Sequence, residues 1–200
     1  MKLPFKWLVL SVAFSVLIPA LAQAADAIPA HYKELYFAAA REGRVDLLEG
    51  MIKDGMPIDD REEHGYTALI LAAYDGQLDA VGLLLTKGAD PCAVDNKGNS
   101  ALMGVAFKGE TKIAEALVTR CDVNATNKAG QTAAMMATLF GHQDILRLLA
   151  AHGANLGATD ALGDTALSLA RQQGNSEVEA LIAQLEANGQ AGAAAPLPSK

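Results

Sequence analysis

Short apolar segments alternate with polar turns along most of the chain. Residues 68–73 read Ala-Leu-Ile-Leu-Ala-Ala, and a polar turn separates them from a second apolar segment at residues 80–85. Each segment has the length of a short helix, and the abundant Ala in it favours helix while letting neighbouring helices pack closely. The pattern therefore predicts pairs of short helices joined by turns.

Glycine marks these turns at a nearly constant period of about 33 residues, which is typical of a repeat protein. One column of glycines keeps this period and consists of Gly65, Gly98, Gly130 and Gly163. A second column keeps it as well and consists of Gly43, Gly76, Gly109, Gly141 and Gly174. A hydroxyl column follows the first at the same period and consists of Thr67, Ser100, Thr132 and Thr165. Several columns in one phase indicate an internal repeat.

Each column has a physical role in a turn-helix-turn-helix unit. Gly65 is expected to adopt a positive φ, which glycine does without a steric penalty. Thr67 is placed to accept a hydrogen bond from an unpaired N–H at a helix start, as an N-cap does. Gly76 follows the first helix and is typical of the residue that ends one.

The segments Gly65-Tyr-Thr-Ala-Leu, Gly141-His-Gln-Asp-Ile and His152-Gly-Ala-Asn resemble the ankyrin repeat, a turn and two antiparallel helices with the same period. The resemblance covers residues 34–186 and implies an all-α solenoid of helix-turn-helix units. Four full repeats would begin at Glu62, Asp95, Asn127 and Asp160, after an N-terminal capping repeat at residues 34–60. The helix at residues 178–186 would cap the other end. The His of the family pattern is replaced by Ile70, Met103, Met135 and Ser168.

The first 24 residues have the layout of a secretory signal peptide. Lys2 and Lys6 precede an apolar run at residues 7–21, and the small-x-small sequence Ala22-Gln23-Ala24 follows. An uncleaved membrane anchor is the alternative, but the run is short and interrupted for a hydrocarbon core about 30 Å thick. We therefore expect export, cleavage after Ala24, and a mature chain in a bacterial periplasm.

Cleavage would make the chain more acidic. The full sequence has 16 Lys and Arg against 23 Asp and Glu, for a net charge of -7, which becomes -9 when the first 24 residues are removed. This balance argues against a nucleic-acid binder, which usually carries a basic surface. Residues 25–33 would form a short lead. Residues 187–200 consist largely of Ala, Gly and Pro and are expected to be a disordered tail.

No catalytic, metal-binding or cofactor-binding residues are predicted. The chain lacks a phosphate-binding Gly-rich loop, a dinucleotide-binding Gly pattern and a nucleophile elbow. The four histidines are spread over separate repeats without close metal-ligand spacing, and they are His31, His64, His142 and His152. The resemblance implies a structural hydrogen-bonding role for His142 and His152.

Cys92 and Cys121 are the two cysteines of the chain. An even count in an exported protein favours a disulfide, and consecutive repeats stack closely enough for contact. The repeat that contains Cys121 is one residue shorter than its neighbours and lacks the helix-ending glycine seen at Gly88 and Gly153. A crosslink would restrain this irregular repeat. Two buried free thiols are the alternative.

The resemblance places variable positions on the concave face of the stack. One column of such positions consists of Arg41, Tyr74, Phe107, Leu139 and Gln172, and the next of Glu42, Asp75, Lys108, Phe140 and Gln173. Aromatics make up only 5% of the chain, so their convergence here predicts a protein-binding patch. The predicted partner-binding residues are Tyr66, Tyr74, Phe107, Lys108, Leu139 and Phe140, with Lys97 and Lys128 at the rim. As an alternative, these side chains fill gaps between helices.

Three functions remain open at this point. The first is a monomeric, non-enzymatic module that binds another protein through its concave face. Similarity to exported bacterial ankyrin proteins, some of which are associated with catalases, suggests support of an oxidative-stress enzyme. The second is an immunity protein whose acidic concave surface neutralises a basic toxin. The third is an enzyme or metal carrier, which lacks every local motif. Neither nucleic acid nor, after cleavage, a membrane is an expected partner.

Overall fold

A computed structural model describes residues 28–193. The predicted signal peptide with its cleavage site at Ala24, the start of the predicted lead, and residues 194–200 lie outside the described residues. The described part contains ten helices and no strand, with one isolated antiparallel bridge between Val94 and Ser100.

The helices form five consecutive antiparallel pairs. The first pair, α1 (Ala30–Arg41) and α2 (Val45–Lys53), is the N-terminal cap. The full repeats contain α3 (Ala68–Tyr74) and α4 (Leu78–Thr86), α5 (Ala101–Lys108) and α6 (Thr111–Leu117), α7 (Ala133–Leu139) and α8 (Gln143–Ala151), and α9 (Ala166–Gln172) and α10 (Ser176–Ala193). The predicted all-α solenoid of four repeats and an N-terminal cap is confirmed.

The local signals act as the sequence predicts. Thr67 accepts a hydrogen bond from the N–H of Ile70 at 3.3 Å, and the N-cap residues of α5, α7 and α9 make the equivalent bond at 3.1 to 3.3 Å. Gly65 has a φ of 83°, in the left-handed region that glycine adopts without penalty. These bonds define where the first helix of each repeat begins.

The core lies between two layers of helices. The first helices of the repeats pack side by side in an inner layer, and the second helices form an outer layer behind them. One column of small side chains in the inner layer is fully buried and consists of Ala72, Val105, Ala137 and Ala170. Large side chains of the outer helices, among them Leu84 and Leu149, fill the space against them. Each repeat therefore buries its apolar face against its neighbours.

Both ends of the helical stack reach beyond the predicted limits of 34 and 186. Helix α1 begins at Ala30, and α10 continues past Glu186 to Ala193. Val178 and Ile182 anchor α10 in the core. Residues 187–193, which the sequence places in a disordered tail, are helical here.

A hydrogen-bond ladder joins the turns that project before each inner helix. We call these turns tips, at residues 62–66, 95–99, 127–131 and 160–164. The backbone N–H of Asn96 donates to the carbonyl of His64, and that of Lys128 donates to the carbonyl of Lys97, both at 2.9 Å. Ala161 completes the ladder by donating to Ala129 at 2.9 Å. The tips therefore keep a fixed position relative to each other.

The Cys pair stands at the one junction where the repeat is shortened. Cys92 and Cys121 have their Cα atoms 5.6 Å apart and their sulfur atoms at bonding distance. At the equivalent position of other repeats, Asp59 accepts from the N–H of Asp90 at 3.0 Å, and Asn124 accepts from Asn155 at 2.7 Å. The Cys pair thus occupies the place of these inter-repeat hydrogen bonds, beside the seven-residue helix α6.

Candidate functional site

The concave face contains a groove of about 750 Å³ between the tips and the inner helices α3, α5 and α7. Tyr66, Tyr74 and Phe107 line it with aromatic rings, and Met103 and Met136 add thioether side chains. Helix α3 ends at Tyr74 and α5 ends one residue after Phe107, so both rings lie at the same end of adjacent inner helices. Met136 is partly exposed and can adjust to the shape of a ligand, whereas Met103 is 2% exposed and belongs to the core beneath the groove.

An aromatic row, defined as Tyr74, Phe107 and Phe140, runs along the ends of three inner helices. The ring centroids of Tyr74 and Phe107 are 5.9 Å apart in a stacked arrangement, and those of Phe107 and Phe140 are 4.2 Å apart. Tyr74 is 37% exposed and Phe140 is 50% exposed, whereas Phe107 is half-buried between them. The rings pack on each other but leave a large apolar surface open to a partner.

Two polar side chains fix the row in place. The ammonium group of Lys108 lies 5.0 Å from the centroid of the Tyr74 ring, in cation–π geometry. The Nε2 atom of His142 lies 3.0 Å from the carbonyl oxygen of Phe107, which ties the end of α5 to the next repeat. His152 contacts the carbonyl of Leu148 through Nδ1 at 2.9 Å. The structural hydrogen-bonding role predicted for these two histidines is confirmed.

The predicted partner-binding residues fall into three groups. Tyr66, Tyr74 and Phe107 line the groove, and Phe140 and Lys108 extend the surface through the aromatic row. The remaining residue, Leu139, is half-buried and outside the groove lining. Whether these residues bind a partner stays a prediction.

Leu139 is outside the row because the aromatic side chain of this repeat stands one position further along the chain. Leu139 occupies the same column of the repeat as Phe107, yet Phe140 makes the ring contact. Helix α7 ends at Leu139, and Phe140 follows as its C-cap. Helix α3 ends at the equivalent residue Tyr74, whose ring does belong to the row, so the residue type at this column makes the difference.

Positive charge dominates the central groove. Arg41, Lys97 and Lys128 line it, and Asp95 is the one acidic residue among the lining side chains that the structure describes. Arg41 is paired with Asp75 at 3.7 Å. The lining of this central part is therefore not acidic, although the chain is, because a net charge does not say where the individual charges lie. Whether the wider concave surface is acidic stays a prediction.

Sequence reasoning missed the methionines and amides of the groove. Met103 occupies the column where the family pattern has His, a departure that signalled a changed surface. The side-chain amide of Asn127 donates to Asn99 at 2.9 Å and to Gln131 at 3.2 Å, so these amides form a ladder along the tips. Their contact depends on how consecutive tips stack, which the sequence does not specify.

The site has the features of a binding surface. Burial raises the pKa of the Tyr66 phenol, and the nearby carboxylates of Asp95 and Glu62 raise it further, so the hydroxyl keeps its proton at neutral pH. No group of three His, Cys, Asp or Glu side chains arranged for a metal ion is present within residues 28–193. No helix in this same span is long and apolar enough to cross a bilayer.

Comparison with protein families agrees with the repeat period and the helix pairs. The family model for ankyrin repeats (3 copies) matches residues 31–95 and 102–193, which is most of the chain. A search among curated protein sequences returned no match. The ankyrin repeat is a protein–protein interaction module, and the matched residues contain most of the groove and the whole aromatic row. The chain belongs to the ankyrin-repeat family.

Proposed function

We propose that the chain is exported to a bacterial periplasm, where it acts as a monomeric, non-enzymatic module that binds another protein through its concave groove. The observation that carries this proposal is the aromatic row. Tyr74 and Phe140 expose a third to a half of their surface beside the groove, although aromatics are scarce in the chain. Exposed, clustered aromatic rings are typical of residues that dominate binding energy at protein interfaces.

The rigidity of the groove supports the same function. The ladder of backbone hydrogen bonds between the tips and the buried inner helices behind them hold the groove in one shape. A surface that is already ordered loses little conformational entropy when a partner binds. The repeats therefore supply a pre-formed platform on which a few side chains determine the partner.

The proposed specific role is support of an oxidative-stress enzyme such as catalase. It rests on the resemblance to exported bacterial ankyrin proteins that was inferred from the sequence alone, and on the Cys92–Cys121 pair, which suits an oxidising compartment. The immunity protein remains the second candidate within binding proteins. The Lys97 and Lys128 side chains of the groove favour the first role over it, because they would repel a basic toxin.

Processing of the N-terminus tests the location. We expect the full-length chain, produced in a Gram-negative bacterium, to appear in the osmotic-shock fraction with Ala25 as its first residue, measured by mass spectrometry of the intact protein. A matched variant, Ala24→Tyr, should remain uncleaved because a large side chain does not fit the small-residue cleavage site. Recovery of the chain with Met1 in the soluble cytoplasmic fraction would contradict export.

Replacement of the exposed rings tests the binding function. We expect the double variant Tyr74→Ser/Phe140→Ser to capture at least about tenfold less partner from periplasmic extract than the wild type, since truncation of interface hot spots costs about 2 kcal/mol or more. Because the rings are partly exposed, loss of each aromatic contact lowers the free energy of unfolding by only about 1 kcal/mol. We therefore expect the helical stack of the variant to remain folded. The measurement is quantitative mass spectrometry of captured proteins, with catalase activity assayed in the same eluate.

The matched control places the same change on the opposite face. Leu47 on α2 and Leu78 on α4 are 43% and 40% exposed, and both belong to the outer layer. The variant Leu47→Ser/Leu78→Ser should capture partners as the wild type does. Equal capture by the aromatic variant and this control would refute binding through the concave face, and a captured set without catalase would refute the specific role.

A further inference from the structure

We propose that the groove recognises an extended acidic segment of its partner, with an apolar side chain of that segment seated between the Met and aromatic side chains. This inference rests on the proposed protein-binding function and specifies the chemistry of the bound segment. It comes from the contrast between the charge of the whole chain and the charge of the groove. The chain has a net charge of -7, yet the cations Arg41, Lys97 and Lys128 outnumber the single acid among the lining residues.

The lysines of the tips are available to a ligand. Lys97 and Lys128 are exposed at consecutive tips, and across residues 28–193 neither ammonium group has a carboxylate within 4.0 Å. The backbone N–H of Lys128 donates to the carbonyl of Lys97, which keeps the two residues side by side. Two adjacent cations without acidic partners create a local positive potential that favours carboxylates.

Two acids at the first two tips are already engaged by their own turns. The Asp95 carboxylate is buried and accepts hydrogen bonds from the N–H of Lys97 at 2.7 Å and of Asn99 at 2.8 Å, and from the Asn99 amide at 2.9 Å. Glu62 accepts from the N–H of His64 at 2.7 Å and of Tyr66 at 3.2 Å. These bonds spread the negative charge of the two acids into their turns, whereas Glu63 at the first tip keeps an exposed carboxylate. The lysines therefore dominate what a ligand meets at the second and third tips.

The dimensions of the groove suit an extended chain. Inner helices pack about 8 to 10 Å apart, so the axes of α3 and α7 are separated by about 20 Å. An extended segment rises about 3.3 Å per residue, and about six residues therefore cross the groove. Because side chains alternate along such a segment, one set faces the aromatic rings of Tyr74 and Phe107 while the other reaches the tips.

Two defined peptides test the charge preference. The probes are a fluorescein-labelled octapeptide in which Glu alternates with Phe and Leu, and the same peptide with every Glu changed to Lys. We expect the acidic peptide to bind at least about tenfold more tightly in fluorescence anisotropy, and its affinity to fall between about 50 mM and about 300 mM salt. Equal or tighter binding of the Lys peptide, or no binding of the acidic peptide below about 1 mM, overturns the inference.

Charge reversal locates the effect in the groove. The variant Lys97→Glu/Lys128→Glu should bind the acidic peptide at least about tenfold more weakly than the wild type does. The control variant Lys53→Glu/Lys112→Glu makes the same change in net charge at exposed positions of α2 and α6 and should bind as the wild type does. An equal loss in both variants would assign the effect to the overall charge and would refute recognition by the tips.

The same variants separate this inference from the function on which it rests. If partner capture depends on Tyr74 and Phe140 but is unchanged by the Lys97→Glu/Lys128→Glu variant, the binding function stands and the acidic segment is refuted. If capture is unaffected by either pair of changes, the concave face is not the binding surface and both proposals fail. Circular dichroism of each variant confirms that the helices remain folded.

Discussion

Reduction of the Cys92–Cys121 pair is expected to lower the free energy of unfolding by about 3.5 kcal/mol, the chain-entropy value for a closed loop of about 30 residues. The two cysteines are 29 residues apart in the sequence and belong to consecutive repeats. The measurement is urea unfolding followed by circular dichroism, with and without a thiol reductant. Titration of free thiols in the folded protein shows at the same time how many chains are crosslinked.

The crosslink is expected to matter because the Cys pair lies at the junction with the shortened repeat. Second helices α2, α4 and α8 have nine residues each, whereas α6 has seven and no glycine follows it at the position of Gly88. The hydrogen bonds that Asp59 and Asn124 make to the next repeat are replaced at this junction by the Cys pair. Without the crosslink, the two neighbouring repeats would be joined by the packing of their inner and outer helices and by the tips.

A matched pair of variants separates loss of the crosslink from loss of the junction. The variant Cys92→Asn/Cys121→Ala places at each position the residue found at the equivalents Asn124 and Ala89, so the Asn amide is directed at the N–H of Asp122. The variant Cys92→Ser/Cys121→Ser removes the crosslink without that side chain. We expect the Asn/Ala variant to be about 1 kcal/mol more stable than the Ser/Ser variant, the usual net value of a hydrogen bond.

Neither variant should respond to the reductant, whereas the wild type should. Equal unfolding midpoints for oxidised and reduced wild type, in a sample shown to be crosslinked, would contradict the stabilising role. Because repeats unfold through nearest-neighbour terms, hydrogen exchange at α6 and α8 is the local measurement that accompanies the midpoint. Faster exchange confined to these helices on reduction would place the effect at the junction.

Most of the fold could be predicted from the repeat period. Gly65 and Thr67 act through backbone conformation and a hydrogen bond only three residues away, so the sequence alone specified the turn and the helix start. The pairing of helices follows from the apolar segments between these signals. The end of α10 was not predicted, because residues 187–193 have no apolar face that marks a helix in the sequence.

The sequence predicted which residue types form the candidate site, but it predicted their arrangement in space less well. Tyr74 and Phe107 were assigned to the site because they occupy the same column of the repeat, and the regular stack brings their rings into contact. Leu139 was assigned by the same rule, but the ring that meets Phe107 belongs to Phe140, one position further along the chain. The positive groove was missed because it depends on which tip side chains are engaged by their own turns, as Asp95 is.

Adding a methyl group at Gly130 is expected to destabilise the stack more than the same change at Gly163. Both glycines occupy equivalent tips with similar positive φ, 76° and 83°. A Cβ at Gly130 would lie 2.9 Å from the backbone nitrogen of Ala161 and 3.1 Å from atoms of Asp160, whereas a Cβ at Gly163 would have no atom within 4 Å. The pair therefore separates the cost of the backbone conformation from the cost of the contact between tips.

The expected values follow from these two terms. The left-handed conformation costs a residue with a Cβ about 1 to 2 kcal/mol, which both Gly130→Ala and Gly163→Ala incur. Overpacking against rigid backbone adds about 1 to 3 kcal/mol for Gly130→Ala alone. Urea unfolding measures the difference, and unfolding free energies of the two variants that agree within about 0.5 kcal/mol, the usual size of a surface effect, would contradict contact between the tips.

The two glycine variants also test whether the position of the tips affects peptide binding. Relief of the clash at Gly130 requires the tips of the last two repeats to separate, which breaks the bond from the N–H of Ala161 to Ala129, next to Lys128. We expect Gly130→Ala to lower the affinity for the acidic peptide and Gly163→Ala to leave that affinity unchanged, in conditions where both variants are fully folded. Unchanged peptide binding in Gly130→Ala would show that recognition does not depend on the spacing that the tip ladder maintains.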